Sequence, residues 1–267
     1  MNAVAMPLAD GLTIARRNIK KIKRAPDMIG GVVMLPIVLV LMFAYVFGSV
    51  IDVPGMSYKD FLLPGIFVQA VITGAQITGY SLTTDLEKGI YDRFRSLPMA
   101  PSAVLIGQTA SDLLMNVASL VVMGSMGLIV GWRVHTSPLE AIAGFALLLL
   151  FAYAFSWVTA AVALALRTPA SFNNVVTMLS FPLVFVSNAF IDSSRLPTPL
   201  RVFADWNPVS TFTQAARDLF GNTSSAMKMS SAWPMQNAIA ASLIWIAVLL
   251  VVFVPLATRL YKRTMTS

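Results

Sequence analysis

The chain has 267 residues, of which 57% are hydrophobic and only 12% are charged, and its net charge is +7. Soluble globular domains have about a quarter charged residues, so this composition excludes an ordinary water-soluble protein. The basic residues cluster beside apolar runs, which indicates contact with the headgroups of a lipid bilayer and not with nucleic acid.

The first predicted element is an amphipathic helix at residues 8–25 that lies on the membrane surface. Its apolar side chains recur every three or four residues and form one stripe, whereas six Lys and Arg side chains fill the remaining face. Pro26 ends this helix. A signal peptide is the alternative, but the apolar run that follows, at residues 28–50, is too long for one.

Six apolar runs are predicted to cross the bilayer as helices, since about 20 residues are enough for one crossing. They lie near residues 29–51, 61–83, 103–131, 139–166, 172–190 and 237–256. The polar interval between the last two, at residues 192–236, contains aromatic residues and prolines that favour short helices at the outer interface. The predicted fold class is therefore all-α, a polytopic membrane protein with six transmembrane helices and an N-terminal amphipathic surface helix.

Six crossings place both termini on the same side of the membrane. If that side is the cytoplasm, it holds 13 of the 19 Lys and Arg residues, as the positive-inside rule requires. The prediction is a multi-pass protein of the cell membrane with both termini cytoplasmic. The chain divides into a cytoplasmic helical segment at residues 1–27 and a membrane domain at residues 28–267.

The second predicted span carries a polar face. Gln69, Thr73, Gln76 and Tyr80 follow one another at helical spacing, so they lie on one side of a helix. Because lipid does not solvate amide groups, this side faces protein or water. Hydrogen bonds between helices are one interpretation, and the spacing favours them; the other is a path that solvates an amphipathic cargo.

Asp112 is the one acidic residue well inside a predicted span. A carboxylate at such a position often marks a proton or ion path, and on this interpretation Asp112 belongs to the substrate path. A proton relay usually needs further titratable groups at similar depth, and the sequence offers none. A structural pairing is the favoured interpretation.

The sequence lacks the motifs of common catalytic sites. It has no Gly-x-x-x-x-Gly-Lys-Ser/Thr phosphate loop and no Gly-x-Ser-x-Gly elbow, and its single histidine, His135, cannot form a multi-histidine metal site. Asp10-Gly11 and Ala15-Arg16 are similar to the start of the membrane alcohol phosphotransferase motif, but the spacing is one residue too long and the downstream aspartates are missing. We therefore predict a non-enzymatic subunit with no metal and no cofactor of its own.

The segment at residues 85–100 reads Asp-Leu-Glu-Lys-Gly-Ile-Tyr-Asp-Arg-Phe-Arg-Ser-Leu-Pro-Met-Ala. It resembles the first cytoplasmic loop of ABC-2 type transporter permeases, especially the daunorubicin-resistance-like drug-efflux branch. A second similarity is Phe-Pro-Leu-Val-Phe-Val-Ser-Asn-Ala-Phe at residues 181–190, followed by Leu196-Pro197 and by Asn-Pro-Val-Ser at residues 207–210. Many relatives have a glycine where this chain has Asn188.

The resemblance implies the permease of an ATP-driven exporter of drugs, lipids or glycolipids, working as a homodimer or with a related permease. A separate cytoplasmic ABC ATPase would bind ATP and Mg²⁺. The helix at residues 8–25 would then be a connecting helix beside the ATPase, and the external interval a pair of short re-entrant helices. A secondary transporter or channel that is not driven by ATP is the alternative.

The resemblance also assigns a coupling helix that docks on the ATPase, at residues 87–97. Ile90, Phe94 and Leu97 fall on one face of this segment, which is the pattern of a short amphipathic helix seated in a partner's groove. A solvated loop that only sets the topology is the alternative from spacing alone. The predicted coupling residues are Glu87, Lys88, Gly89, Asp92, Arg93, Phe94 and Arg95.

Overall fold

The structure, a computed structural model, describes residues 34, 37, 38, 40–48, 51, 53–90, 101–226 and 230–266. In these parts of the chain the regular structure is helical, and the β pairing is limited to one isolated bridge between Val53 and Met56. The prediction of an all-α protein is thus confirmed for the described residues. The helices are α1 Tyr58–Glu87, α2 Pro101–Val130, α3 Pro138–Leu166, α4 Pro169–Phe185, α5 Thr198–Trp206, α6 Pro208–Phe220, α7 Trp233–Gln236 and α8 Ala238–Thr266, with a π-helical segment Met42–Phe47 before α1 and a 3-10 turn Ser193–Arg195 before α5.

Four of these helices are long and apolar enough to cross a membrane, judged over the described residues. They are α1, the part of α2 at Asp112–Val130, α3, and the part of α8 at Ala238–Arg263. Helix α4 coincides with the predicted fifth span but has 17 residues. Its length of about 25 Å is shorter than a bilayer core of about 30 Å. The predicted surface helix at residues 8–25 and part of the first span lie outside the described residues, so six crossings remain a prediction.

Helix α8 is longer than the sequence analysis predicted. The expected boundary was residue 256, but the helix continues to Thr266. Arg259, Lys262 and Arg263 therefore project from the final turns of α8 and do not form a separate tail. This arrangement places positive side chains at the carboxyl end of a helix, where they complement its dipole.

The sharp reversal between α3 and α4 follows from its sequence. Helix α3 ends as Arg167 adopts a left-handed conformation with φ of 61°, and Thr168 begins the next helix by accepting a hydrogen bond from the Ser171 amide. Pro169 occupies the first position of α4, where its missing N–H costs no hydrogen bond. Only two residues, Arg167 and Thr168, separate the two helices.

Helix α1 is the centre of the protein and packs against α2, α3, α4 and α6. Its most apolar stretch is 78% buried, whereas that of α8 is 17% buried, so α8 lies at the periphery. An aromatic cluster joins α1 to its neighbours: Phe67 meets Trp132 edge to face at 5.2 Å, and Trp132 meets Phe220 at 5.4 Å. Gly144 leaves room for the Phe220 ring, since a Cβ there would lie 2.7 Å from it.

Helix α6 is held in this bundle by a buried arginine. Arg217 is 2% exposed and donates from Nε to the carbonyl of Phe61 at 2.9 Å and from Nη2 to the carbonyl of Asn188 at 2.7 Å. Its guanidinium also lies 3.7 Å from the centre of the Phe61 ring. Burial lowers the pKa of Arg217 to about 9, and the charges of Asp192 and Asp218 oppose this shift. Arg217 thus joins α6, the start of α1 and the chain after α4.

The end of α6 is fixed by Asn222. Trp132 donates from its indole nitrogen to Asn222 Oδ1 at 2.8 Å, and Asn222 Nδ2 donates to the Arg133 carbonyl at 3.0 Å. Asn222 begins an Asn-Thr-Ser glycosylation pattern, but it is 1% exposed and both ends of its amide are bound. In this fold the residue anchors the loop after α2 and is not accessible to a glycan.

Candidate functional site

The polar face predicted on the second span is present on α1. Tyr80 is 40% exposed, and Gln69, Thr73 and Gln76 are half-buried on the same side of the helix. A straight helix places residues spaced by four, three and four on a single stripe, so the sequence pattern maps directly onto the surface. This side of α1 is therefore neither sealed in the core nor fully open.

Neighbouring groups bind two of these side chains. Gln76 Nε2 donates to the Ser180 hydroxyl of α4 at 2.9 Å, and Thr73 Oγ1 donates to the Gln69 carbonyl one turn earlier at 3.0 Å. Within the described part of the chain, Gln69 Oε1 is buried and accepts no hydrogen bond. An unpaired buried acceptor is costly, and because Gln69 Oε1 is buried it is not open to a donor from another molecule in this conformation.

Helix α4 adds an apolar surface beside the polar face. Its Ser180 contacts α1, while Met178, Phe181 and Phe185 are 78%, 58% and 49% exposed. The combined surface of α1 and α4 has a few amides and hydroxyls next to large apolar side chains. Such a surface can contact an amphipathic molecule or a second protein chain.

Asp112 belongs to α2 and contacts the side of α1 that faces away from the polar face. Thr78 donates from its hydroxyl to Asp112 Oδ2, and the carboxylate also accepts a hydrogen bond from Gln108. Thr78 follows Gln76 by two residues, a rotation of about 200° around the helix. The structure therefore separates Asp112, which is 6% exposed, from the polar face and places it in the contact between α1 and α2.

The tight contact that surrounds this carboxylate was not predicted from the sequence. Asn116 donates from Nδ2 to the Asp112 carbonyl at 2.9 Å, and a Cβ on Gly74 would lie 2.4 Å from Asn116 Oδ1. Small residues let membrane helices approach closely, so Gly74 is the signal that would have located this contact. On the α3 side, Thr159 Oγ1 donates to the Ala75 carbonyl at 2.8 Å.

The predicted coupling residues are described only in part. Glu87 is the last residue of α1 and Lys88 follows it, both exposed, and Gly89 adopts a positive φ of 62° that breaks the helix. Asp92, Arg93, Phe94 and Arg95 lie outside the described residues. Glu87 thus belongs to the same continuous helix as Gln69 and Gln76.

The described residues contain no group of three or more His, Cys, Asp or Glu side chains that could hold a metal ion. What the site does contain is a long buried helix with one polar face, an adjacent apolar surface and an exposed end at Glu87. These features suit the binding and movement of a molecule rather than the making or breaking of a covalent bond.

Comparison with known proteins defines the family. The ABC-2 type transporter family model matches residues 11–221. The chain belongs to the ABC-2 type transporter family. It is 32% identical over 261 residues to the daunorubicin resistance ABC transporter permease protein DrrB1 of Streptomyces coeruleorubidus. The aligned region covers 98% of this chain and 89% of that protein. The chain is also 26% identical over 205 residues to the doxorubicin resistance ABC transporter permease protein DrrB of Mycobacterium tuberculosis, covering 76% of this chain and 69% of that protein.

The ABC-2 match confirms the resemblance seen in the loop and in the Phe181–Phe190 segment. The matched region includes α1 through α6, and therefore the polar face, Asp112 and Arg217. Membership of this family, together with helices apolar enough to cross a bilayer, makes the chain a multi-pass membrane permease of the ABC exporter type.

Proposed function

We propose that this permease exports a hydrophobic or amphipathic compound from the cytoplasm, driven by a separate ABC ATPase that binds ATP and Mg²⁺. The observation that carries the proposal is the 32% identity, over 98% of the chain, to a permease named for daunorubicin resistance. The sequence supports a division of labour, because it has no phosphate-binding loop with which to bind ATP itself.

The surface formed by α1 and α4 supports an assembly of two permeases around the cargo. Tyr80 and the apolar residues of α4 are exposed on one chain, and Gln69 and Gln76 are half-buried beside them. Two copies, or this chain and a related one, would enclose these surfaces and give an amphipathic cargo both amide and aromatic contacts. In this arrangement the chain crosses the membrane six times with both termini in the cytoplasm, as the distribution of basic residues favours.

The continuity of α1 supports a mechanical role for the segment at residues 87–97. Helix α1 has 30 residues and is therefore about 45 Å long. A displacement of its exposed end at Glu87 is transmitted along the helix to Gln76 and Gln69, because a packed helix moves as a rigid rod. ATPase docking on residues 87–97, with Phe94 in a groove of the ATPase, would use this connection.

Co-purification tests the proposal. The tagged full-length chain is extracted from its native membrane in mild detergent, and the proteins that accompany it are sequenced. We expect a protein with a phosphate-binding loop in stoichiometric amount, and we expect Phe94→Ala to reduce its recovery, since loss of a buried interface aromatic costs roughly 2 kcal/mol.

Phe203→Ala is the matched control, because Phe203 is an exposed aromatic residue of α5, outside the proposed docking segment. Equal recovery from the native chain and from both variants would contradict the docking role of Phe94. Absence of any ATPase from intact, folded permease would contradict the proposed function itself.

A further inference from the structure

A groove of about 440 Å³ runs between α2 and α3, away from the polar face of α1. Its walls are apolar side chains of the two helices and of the loop that joins them, and they include Val121, Leu128, Trp132, Val134, Phe145 and Leu149. Gly124 forms part of the floor: a Cβ there would touch nothing closer than Phe145 at 3.6 Å, so the missing side chain deepens the groove.

The polar atoms near the groove are already bound to other groups. Ser125 donates its hydroxyl hydrogen bond to the Val121 carbonyl at 2.8 Å, within its own helix. The indole N–H of Trp132 points to Asn222, so only the hydrocarbon part of the ring is left to face the groove. The surface therefore offers dispersion contacts and no hydrogen bonds, which suits a hydrocarbon chain.

The groove has the dimensions of one leaflet. Val117 and Leu128 both line it, and these positions are 11 residues apart, which is about 16 Å along α2. Half of a bilayer core of about 30 Å is about 15 Å. Both groove-forming helices contain candidate spans, and the exposed fractions of Val121 and Leu128 are 63% and 49%.

A cation stands at the end of the groove that reaches the membrane surface. Arg133 follows α2 and is exposed, and its Nη1 donates to the carbonyls of Leu128 and Trp132 at 2.7 and 2.8 Å. Both of these residues line the groove. The guanidinium is thus held at the groove's mouth, where it complements the charge of a phosphate.

We propose that this groove binds a glycerophospholipid of the surrounding leaflet, with one acyl chain between α2 and α3 and the phosphate on Arg133. The site is separate from the α1 and α4 surface, and it does not depend on which cargo is exported or on which ATPase drives the export. A bound lipid would fill the space between two helices that the protein leaves unpacked.

Fluorescence of Trp132 tests the site directly. A variant with Phe in place of Trp157, Trp206, Trp233 and Trp245 is purified as the full-length chain in dodecyl maltoside micelles, which contain no phosphate. Increasing fractions of phosphatidylglycerol brominated on its acyl chains, or of the matching brominated diacylglycerol, are then added. We expect half-quenching at a lower mole fraction of the phospholipid than of the diacylglycerol, because only the phospholipid has a phosphate for Arg133.

Substitutions at two positions test the headgroup contact and the acyl-chain contact separately. Arg133→Gln should raise the phospholipid fraction for half-quenching about fivefold, whereas Arg133→Lys should restore most of the affinity. Gly124→Leu fills the groove and should reduce quenching by both lipids. Arg201→Gln, at an exposed basic residue of α5, is the matched control and should change neither curve.

Equal half-quenching by the two lipids in the native background, or no effect of Arg133→Gln and Gly124→Leu, would overturn the proposal. Efficient disulfide formation between two copies of Val121→Cys would also overturn it, since a second chain would then cover the groove. If the single-tryptophan variant does not fold, the difference in quenching between the native chain and Trp132→Phe gives the same measurement.

Discussion

Gln76 on α1 donates a hydrogen bond to Ser180 on α4 at 2.9 Å, across 104 residues of sequence. This bond fixes the rotation of α4 against α1, and with it the position of the exposed Phe181 beside the polar face. The two helices that form the proposed cargo surface are therefore linked by a polar contact within that surface.

Replacing Gln76 by Leu and Ser180 by Ala, separately and together, tests this contact. We expect a coupling free energy of about 0.6 to 2 kcal/mol in a double-mutant cycle of detergent stability, the range seen for polar pairs in membranes. We also expect Gln76→Leu to change the cargo preference measured in vesicle transport assays. Additive stability effects and an unchanged cargo preference in folded variants would show that the bond contributes to neither.

Arg217→Met should destabilise the protein strongly. The substitution leaves the carbonyls of Phe61 and Asn188 without their donor, and such losses cost about 3 kcal/mol in total. Thermal unfolding in detergent, followed by circular dichroism, should show a midpoint several degrees lower than that of the native chain. Arg201→Met, at an exposed position of α5, should stay within about 0.5 kcal/mol, and an equal loss in both variants would contradict the anchoring role.

Asp112→Asn should retain transport. An asparagine keeps an acceptor for the Thr78 hydroxyl and has nearly the same size, so the contact between α1 and α2 survives. Asp112→Leu should lower the free energy of unfolding by about 1 to 3 kcal/mol, because Thr78 and Gln108 lose their acceptor. A well-folded Asp112→Asn protein without transport would instead favour a proton path through this carboxylate.

Local periodicity predicted the parts of the site that lie on one helix. Gln69 and Gln76 were located because their spacing alone places them on one face. Ser180 was not, since its contact with Gln76 joins two helices that are distant in sequence. The long apolar runs likewise predicted α1, α2, α3 and α8, while the end of α8 was placed too early, because charged residues also fit the last turns of a helix.

The burial of Arg217 cannot be detected by counting charged residues in the sequence. Arg217 falls in the polar interval at residues 192–236, which was predicted to lie at the outer interface, yet its side chain is 2% exposed. Its partners are main-chain carbonyls of Phe61 and Asn188, which every residue possesses and which leave no mark in the sequence. Asn222 is a similar case, because the sequence Asn-Thr-Ser is the same whether the asparagine is open to a glycan or buried as a structural amide.

Cysteine labelling tests the proposed topology. The chain has no cysteine, and Ser225 lies in an exposed turn after α6. Ser225→Cys should react with a membrane-impermeant maleimide in intact cells, because we place this segment outside. A cysteine replacing Lys88 should react only after lysis. Reaction of the Ser225→Cys protein only after lysis would reverse the orientation of the whole chain.

Transport by the purified protein tests most directly whether the permease is an ATP-driven exporter. The permease and its co-purified ATPase are reconstituted in vesicles with the ATPase outside, and accumulation of a fluorescent amphipathic dye is measured. We expect accumulation that requires ATP and Mg²⁺ and that continues when a protonophore removes the proton gradient. Accumulation that needs no ATP and stops with the protonophore would contradict this expectation and identify a secondary transporter.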